Sequence, residues 1–138
     1  HKVKFAVSAC PRNCAESGIK DVGIIGVDSG WELYVGGNGG IKTEAGQFLC
    51  KVKTAEEVLE YSGAFIQIYR EEARYLDRTV HWIERVGLEY VKQRVLEDAE
   101  GRKAAHERLL YALQGAVDPW AERVAKRDEH KEFETIEI

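Results

Sequence analysis

Two cysteines separated by three residues, in Cys10-Pro11-Arg12-Asn13-Cys14, are the side chains of this sequence best placed to do chemistry. They follow a segment in which Val3, Phe5 and Val7 alternate with Lys2, Lys4 and Ala6, the period of a half-buried strand. Pro11 stops that strand, and a short helical turn is expected from about Cys14 to Gly18. The start of a helix offers free N–H groups and partial positive charge, which favour a thiolate at Cys14. Two thiolates on one tight loop can sit at neighbouring corners of an iron–sulfur cube, whose ligation takes four protein ligands. The same pair also reads as two ordinary thiols in a turn, and spacing alone leaves both open. Zinc is the poorer match, because His1, His81, His106 and His130 stand at no ligand-like spacing from the pair.

The remaining candidates are weaker. Cys50 alternates in step with Phe48 and Val52, which places it on the core face of a strand as a packed thiol. Gly36-Gly37-Asn38-Gly39-Gly40 lacks the GxxxxGK[ST] pattern and opens no strand-to-helix unit, so it is not a phosphate loop. A positive-φ turn is the plainer account of it; close approach of backbone to a bulky cofactor is the other. Tyr61, Phe65 and Tyr69 recur at helical spacing and read as core. The mixed-sign run from Arg70 to Arg74 and that from Lys126 to Lys131 read as solvated faces. No Ser/His/Asp arrangement and no carboxylate pair stands out for catalysis.

These residues need elements to hold them. The chain divides near Thr54 into a glycine-rich, β-patterned part (1–53) and a charged, helical part (54–125), with a loosely held tail at 126–138. Val22 to Val27 reads as an apolar strand and Asp28-Ser29-Gly30 as a hairpin turn. Trp31, Leu33 and Val35 mark a third strand, and a last one is expected at about 48–53. Thr54 with Glu57 has the form of a capping box, and the stripe behind it extends to the Arg78 region. Trp82, Ile83 and Val86 form a second helix ended by Gly87; Leu88, Val91 and Val95 form a third. Ala105, Leu109 and Leu113 form a fourth, ended by Pro119. The fold class is α+β: a small antiparallel or mixed sheet followed by helices.

Composition narrows the partners. The 138 residues carry 20 Lys+Arg against 24 Asp+Glu, a formal net charge of −4, which disfavours nucleic acid. No apolar stretch approaches the roughly 18 residues of a membrane span, and no apolar leader is visible, so a cytoplasmic protein with reduced cysteines is expected. The chain holds no Met, and the expectation is a piece of a longer protein.

The exact words go further. Ser8-Ala9-Cys10-Pro11-Arg12-Asn13-Cys14-Ala15-Glu16, together with Lys20-Asp21-Val22-Gly23, resembles the sirohaem-containing nitrite and sulfite reductases. Gly30-Trp31-Glu32-Leu33-Tyr34-Val35 with the following Gly36-Gly37-Asn38-Gly39-Gly40, then Leu49-Cys50-Lys51-Val52-Lys53-Thr54 and Tyr69-Arg70-Glu71-Glu72-Ala73, is similar to the nitrite reductase branch. In particular it resembles the C-terminal part of the large subunit of the assimilatory, NAD(P)H-dependent enzymes. The resemblance continues through Trp82-Ile83-Glu84-Arg85-Val86-Gly87 to Asp118-Pro119-Trp120 and covers nearly the whole chain.

That resemblance implies the sirohaem/[4Fe–4S] domain for 1–53, completed or extended by 54–125. It implies Cys10 and Cys14 as the second pair of [4Fe–4S] ligands, with the Cys14 sulfur also bridging to the sirohaem iron. Asn13 would lie beside the cofactor pair, and Gly36, Gly37 and Asn38 near it. The family's reaction is six-electron reduction of nitrite to ammonium. FAD and NAD(P)H belong to upstream domains, and the partners are the rest of the large subunit and a small subunit. The family's first cysteine pair, Cys-x5-Cys, occurs nowhere in this sequence. The expectation is therefore that this piece alone is inactive and binds no cofactor, and that an exposed strand edge invites a homodimer. The alternatives are a sulfite reductase of the same family and a non-catalytic helical interaction module.

Overall fold

A computed structural model of the chain describes residues 2–126. Among these described residues, six strands and five α-helices make an α+β fold, the class expected. The main sheet has the order β1-β2-β3-β6, from β1 (Phe5–Ser8), β2 (Val22–Val27), β3 (Gly30–Val35) and β6 (Gln47–Val52). β1 runs parallel to β2 while β2–β3 and β3–β6 are antiparallel, so the sheet is mixed. Because β1 and β2 are parallel neighbours, the chain between them must cross back over the sheet. Residues 9–21 make that crossing, and they carry both Cys10 and Cys14. Two short strands, β4 (Asn38–Gly39) and β5 (Thr43–Glu44), pair as a separate hairpin, so the glycine run is not simply a loop.

The apolar alternation predicts the buried face well. Val22, Ile24, Leu33 and Val35 turn to the helices, where Phe65, Ile68, Tyr69, Trp82 and Ile83 meet them in one core. A bulge between Leu33 and Tyr34 breaks the register with β6. Leu49 consequently turns inward, while Phe48 stays 46% exposed and stacks edge-on against Tyr34 at 5.7 Å. The expectation that Phe48, Cys50 and Val52 share a core face fails at Phe48 for this reason.

The capping box is present: Thr54 Oγ1 accepts from Glu57 N (3.2 Å) and the Glu57 carboxylate accepts from Thr54 N (3.1 Å). It opens α1 (Ala55–Glu72), which packs on α4 (Ala99–Leu113) through Gly63; a Cβ there would sit 2.4 Å from His106 Nδ1. α1 ends at Glu72, short of the Arg78 region, since Ala73 is extended and Leu76 has φ +68°. α2 (Thr79–Val86) stops at Gly87, whose φ of +87° suits glycine. α3 (Leu88–Lys92) runs into a π-helical turn (Gln93–Glu97), burying Val91 and Val95. Pro119 does not end α4. It is the first residue of α5 (Pro119–Ala125), which Asp118 caps, and prolines are well tolerated there because the first-turn N–H is unpaired anyway. The charged tail expected from 126 lies, beyond Lys126, outside the described residues. Among the described residues, no helix is long and apolar enough to cross a membrane.

Candidate functional site

Both cysteines of the pair are exposed and in the free thiol form, on the arch that crosses from β1 to β2. The arch is wound tightly by its own backbone. Asn13 N donates to Cys10 O (3.1 Å), Glu16 N to Asn13 O (2.9 Å) and Ile19 N to Glu16 O (3.1 Å). Asn13 and Glu16 adopt φ of +55° and +56°, a conformation that asparagine tolerates better than most residues. The helical turn expected at Cys14–Gly18 is instead a 3-10 turn at Ser17–Ile19, three residues beyond Cys14. Cys14 thus does not stand at a helix start, and the helix-dipole argument for its thiolate does not apply.

Asn13 turns its carboxamide inward. Its Oδ1 accepts from Ser8 Oγ (3.2 Å) and Gly18 N (3.3 Å), while Ser8 Oγ and Ser17 Oγ are 2.8 Å apart and buried. Asn13 therefore fastens the crown of the arch to the strand beneath. The glycine run is drawn to the arch's exit: Gly36 N donates to Asp21 O (3.0 Å) and Gly37 N to Lys20 O (2.9 Å). A Cβ on Gly37 would lie 2.5 Å from that Lys20 oxygen, so the approach demands glycine. Gly46 N reaches Gly18 O at 2.7 Å, closing the hairpin onto the arch. Asn38 works within the hairpin, its Nδ2 donating to Lys42 O at 2.8 Å.

Sequence reasoning passed over Asp21. Its carboxylate, 1% exposed, accepts from Lys4 N (2.8 Å), Arg78 Nη2 (2.5 Å) and Thr79 Oγ1 (2.5 Å). Separations of 57 and 58 residues hide the last two contacts from any local pattern.

Cys50 lies apart from the pair, half-buried against the core. Burial pushes its thiol up to about 11. Between an ordinary thiol value and about 11, the folded chain keeps a proton that the unfolded chain has lost, so this group lowers stability as pH rises through that window. At pH 8, iodoacetamide should label the native chain rapidly at Cys10 and Cys14 and slowly at Cys50, a contrast that peptide mass spectrometry reads directly.

The donor set suits half of a cluster site. Two accessible thiols on one short loop are soft ligands of the kind iron takes. Among the described residues no group of three or more His, Cys, Asp or Glu side chains could hold a metal, so the other ligands would come from outside them.

A sequence model of the nitrite and sulphite reductase 4Fe-4S domain matches residues 1–103. The chain belongs to that family. It is 58% identical over 137 residues to nitrite reductase [NAD(P)H] of Bacillus subtilis (strain 168), covering 99% of this chain and 17% of that protein. Against the large subunit of nitrite reductase (NADH) of Escherichia coli (strain K12) identity is 39% over 127 residues, 90% of this chain and 15% of the relative. An assimilatory-type sulfite reductase of Nitratidesulfovibrio vulgaris (Hildenborough) is 37% identical over 95 residues, 69% of this chain and 44% of the relative. The chain thus spans about a sixth of the length of these nitrite reductases. The family carries a [4Fe–4S] centre, and the arch holds this chain's Cys-x3-Cys.

Proposed function

We propose that this chain is the C-terminal cofactor-holding part of a sirohaem nitrite reductase large subunit, which reduces nitrite to ammonium with electrons from NAD(P)H. The observation that carries the reading is the pair of free, exposed thiols on a hydrogen-bonded arch, in a chain 58% identical to a nitrite reductase [NAD(P)H]. In this reading Cys10 and Cys14 would be ligands of the [4Fe–4S] cluster, and Cys14 would also be its link to sirohaem. When bound, the coupled pair supplies the storage and relay of six electrons; the protein supplies ligation and orientation. In this chain the arch presents the two sulfurs, Asn13 braces it from within, Gly37 lets the turn after β3 pack closely on its exit, and Gly36 leaves room for Ile83 of α2. Asn38 shapes the adjoining hairpin. FAD and NAD(P)H sites, the small subunit and a cytoplasmic setting belong to the assembled enzyme, and a homodimer through an exposed strand edge is part of the same proposal.

The isolated chain, holding two of four cluster ligands, is inactive and does not retain the cofactors. The test compares two chains by anaerobic visible spectrum, iron and sulfide: this one, and one extended upstream through the missing cysteine pair. Sirohaem bands and iron in the longer chain alone are expected. A stable four-iron cluster on the short chain overturns the half-site reading, and no iron on either overturns the ligand assignment and favours a helical interaction module. The relative named a sulfite reductase keeps that substrate as the second reading, since the cluster words are common to both branches.

A further inference from the structure

Neither thiol of the pair has a hydrogen-bond partner among the described residues, so where the sulfurs sit is decided by the groups that fix the arch. The crown is fixed locally by Asn13, Ser8 and Ser17. The exit is fixed by Asp21, the last residue before β2, through groups far away in sequence. Its Oδ2 takes Lys4 N–H and the Arg78 guanidinium, and its Oδ1 takes the Thr79 hydroxyl. Its own carbonyl takes Gly36 N–H. One residue therefore makes three joins: its carboxylate ties the residue before β1 to the start of α2, and its backbone carbonyl holds the glycine turn.

A buried carboxylate is a costly way to hold elements together. Apolar side chains of similar volume often stabilise as well, because they avoid desolvating a charge. What the carboxylate adds is direction: three donors on two oxygens allow one orientation of Asp21 and hence one path for the chain leaving Cys14. With Asp21 1% exposed and Arg78 only 21% exposed at the side chain, the pair is also shielded from the screening that weakens surface ion pairs.

We propose that Asp21, held by Arg78 and Thr79, is a positioning residue for the Cys10–Cys14 pair, fixing the exit of the arch so that both thiolates are presented at a set spacing. It acts through the backbone and touches no cofactor. This inference rests on Cys10 and Cys14 being cluster ligands.

The test uses the full-length reductase carrying this segment. Thr79→Val removes one donor without changing charge, Thr79→Ser restores the hydroxyl, Asp21→Asn removes the charge, and Cys14→Ser reports on the ligand assignment itself. The readouts are the rate of iron release to a chelator and, in iron-free protein, hydrogen exchange of the Asn13, Glu16 and Ile19 amides. Thr79→Val and Asp21→Asn are expected to speed both about tenfold, the worth of one hydrogen bond, while α1 amides keep their rates and Thr79→Ser restores the native values. Unchanged iron release and arch exchange in Thr79→Val overturn the proposal, and so does acceleration spread equally over α1. If Asp21→Asn does not fold, the Thr79 pair decides alone. A cluster retained in Cys14→Ser overturns the ligand reading and this inference with it; a cluster lost there but unaffected in Thr79→Val overturns the inference only.

Discussion

Replacing Cys14 with serine in the full-length reductase is expected to remove both cofactor signatures at once. Under the proposed assignment Cys14 serves two metals: it completes the [4Fe–4S] site and links it to sirohaem. A serine hydroxyl is a hard and weakly acidic donor, a poor substitute for a soft thiolate on iron. Loss of an outer-shell partner alone typically costs about 10–100-fold in metal affinity, so loss of the ligand should cost more than that. Iron and sulfide content, sirohaem bands and nitrite reduction should all fall to background. Cys10→Ser makes the informative contrast, because Cys10 is assigned to the cluster only. There the cluster is expected to be lost or degraded first, with some sirohaem retained. Unchanged spectra and turnover in Cys14→Ser would overturn the assignment and leave the helical region as the place to seek function. Since Cys14 is exposed and its thiol has no hydrogen-bond partner among the described residues, the substitution disturbs no contact within this chain.

The sequence makes the elements legible wherever the signal is local. The Thr54–Glu57 capping box, the apolar run at Val22–Val27 and the stop at Gly87 each depend on residues a few positions apart, and each is present. Errors arise where a distant neighbour decides. The bulge that turns Leu49 inward and Phe48 outward is set by how β6 pairs with β3, which alternation along β6 alone does not encode. Pro119 is a helix breaker or a helix starter according to the residues on either side of it, and here Asp118 caps a new helix behind α4. The same limit applies to the site. The cysteine pair announces itself by spacing, and its family words carry the chemistry. Asn13 is legible as a residue type yet not in its role, because its inward turn depends on how the arch folds Ser8 and Gly18 onto its carboxamide oxygen. Asp21 stands in one of the family words, but nothing local marks its role, since Arg78 and Thr79 reach it from the far side of α1.

The largest effect on stability is expected at Trp82. It is fully buried in α2, with its ring centroid 5.8 Å from those of Phe65 and Tyr69. An eight-residue helix is far too short to persist in water alone, so α2 is held by its buried face: Val80, Trp82 and Ile83. Trp82→Ala opens a cavity under that helix and is expected to cost about 3–5 kcal/mol. Urea denaturation of the chain measures the loss, which corresponds to a fall in Tm on the order of 10–20 °C. Trp82→Phe is the control. The indole Nε1 is buried without a partner among the described residues, so a phenyl ring gives up less volume and also removes an unsatisfied donor; its cost should be well under half that of alanine. An equal cost for both would show that the indole edge, and not the ring volume, holds α2. The position of α2 also governs the site, because Arg78 and Thr79 at its start bind Asp21. Trp82→Ala should therefore loosen the arch as well as the core, and combining it with Thr79→Val should cost less than the sum of the two. Strict additivity would instead mean that the helix and the carboxylate act on the arch independently.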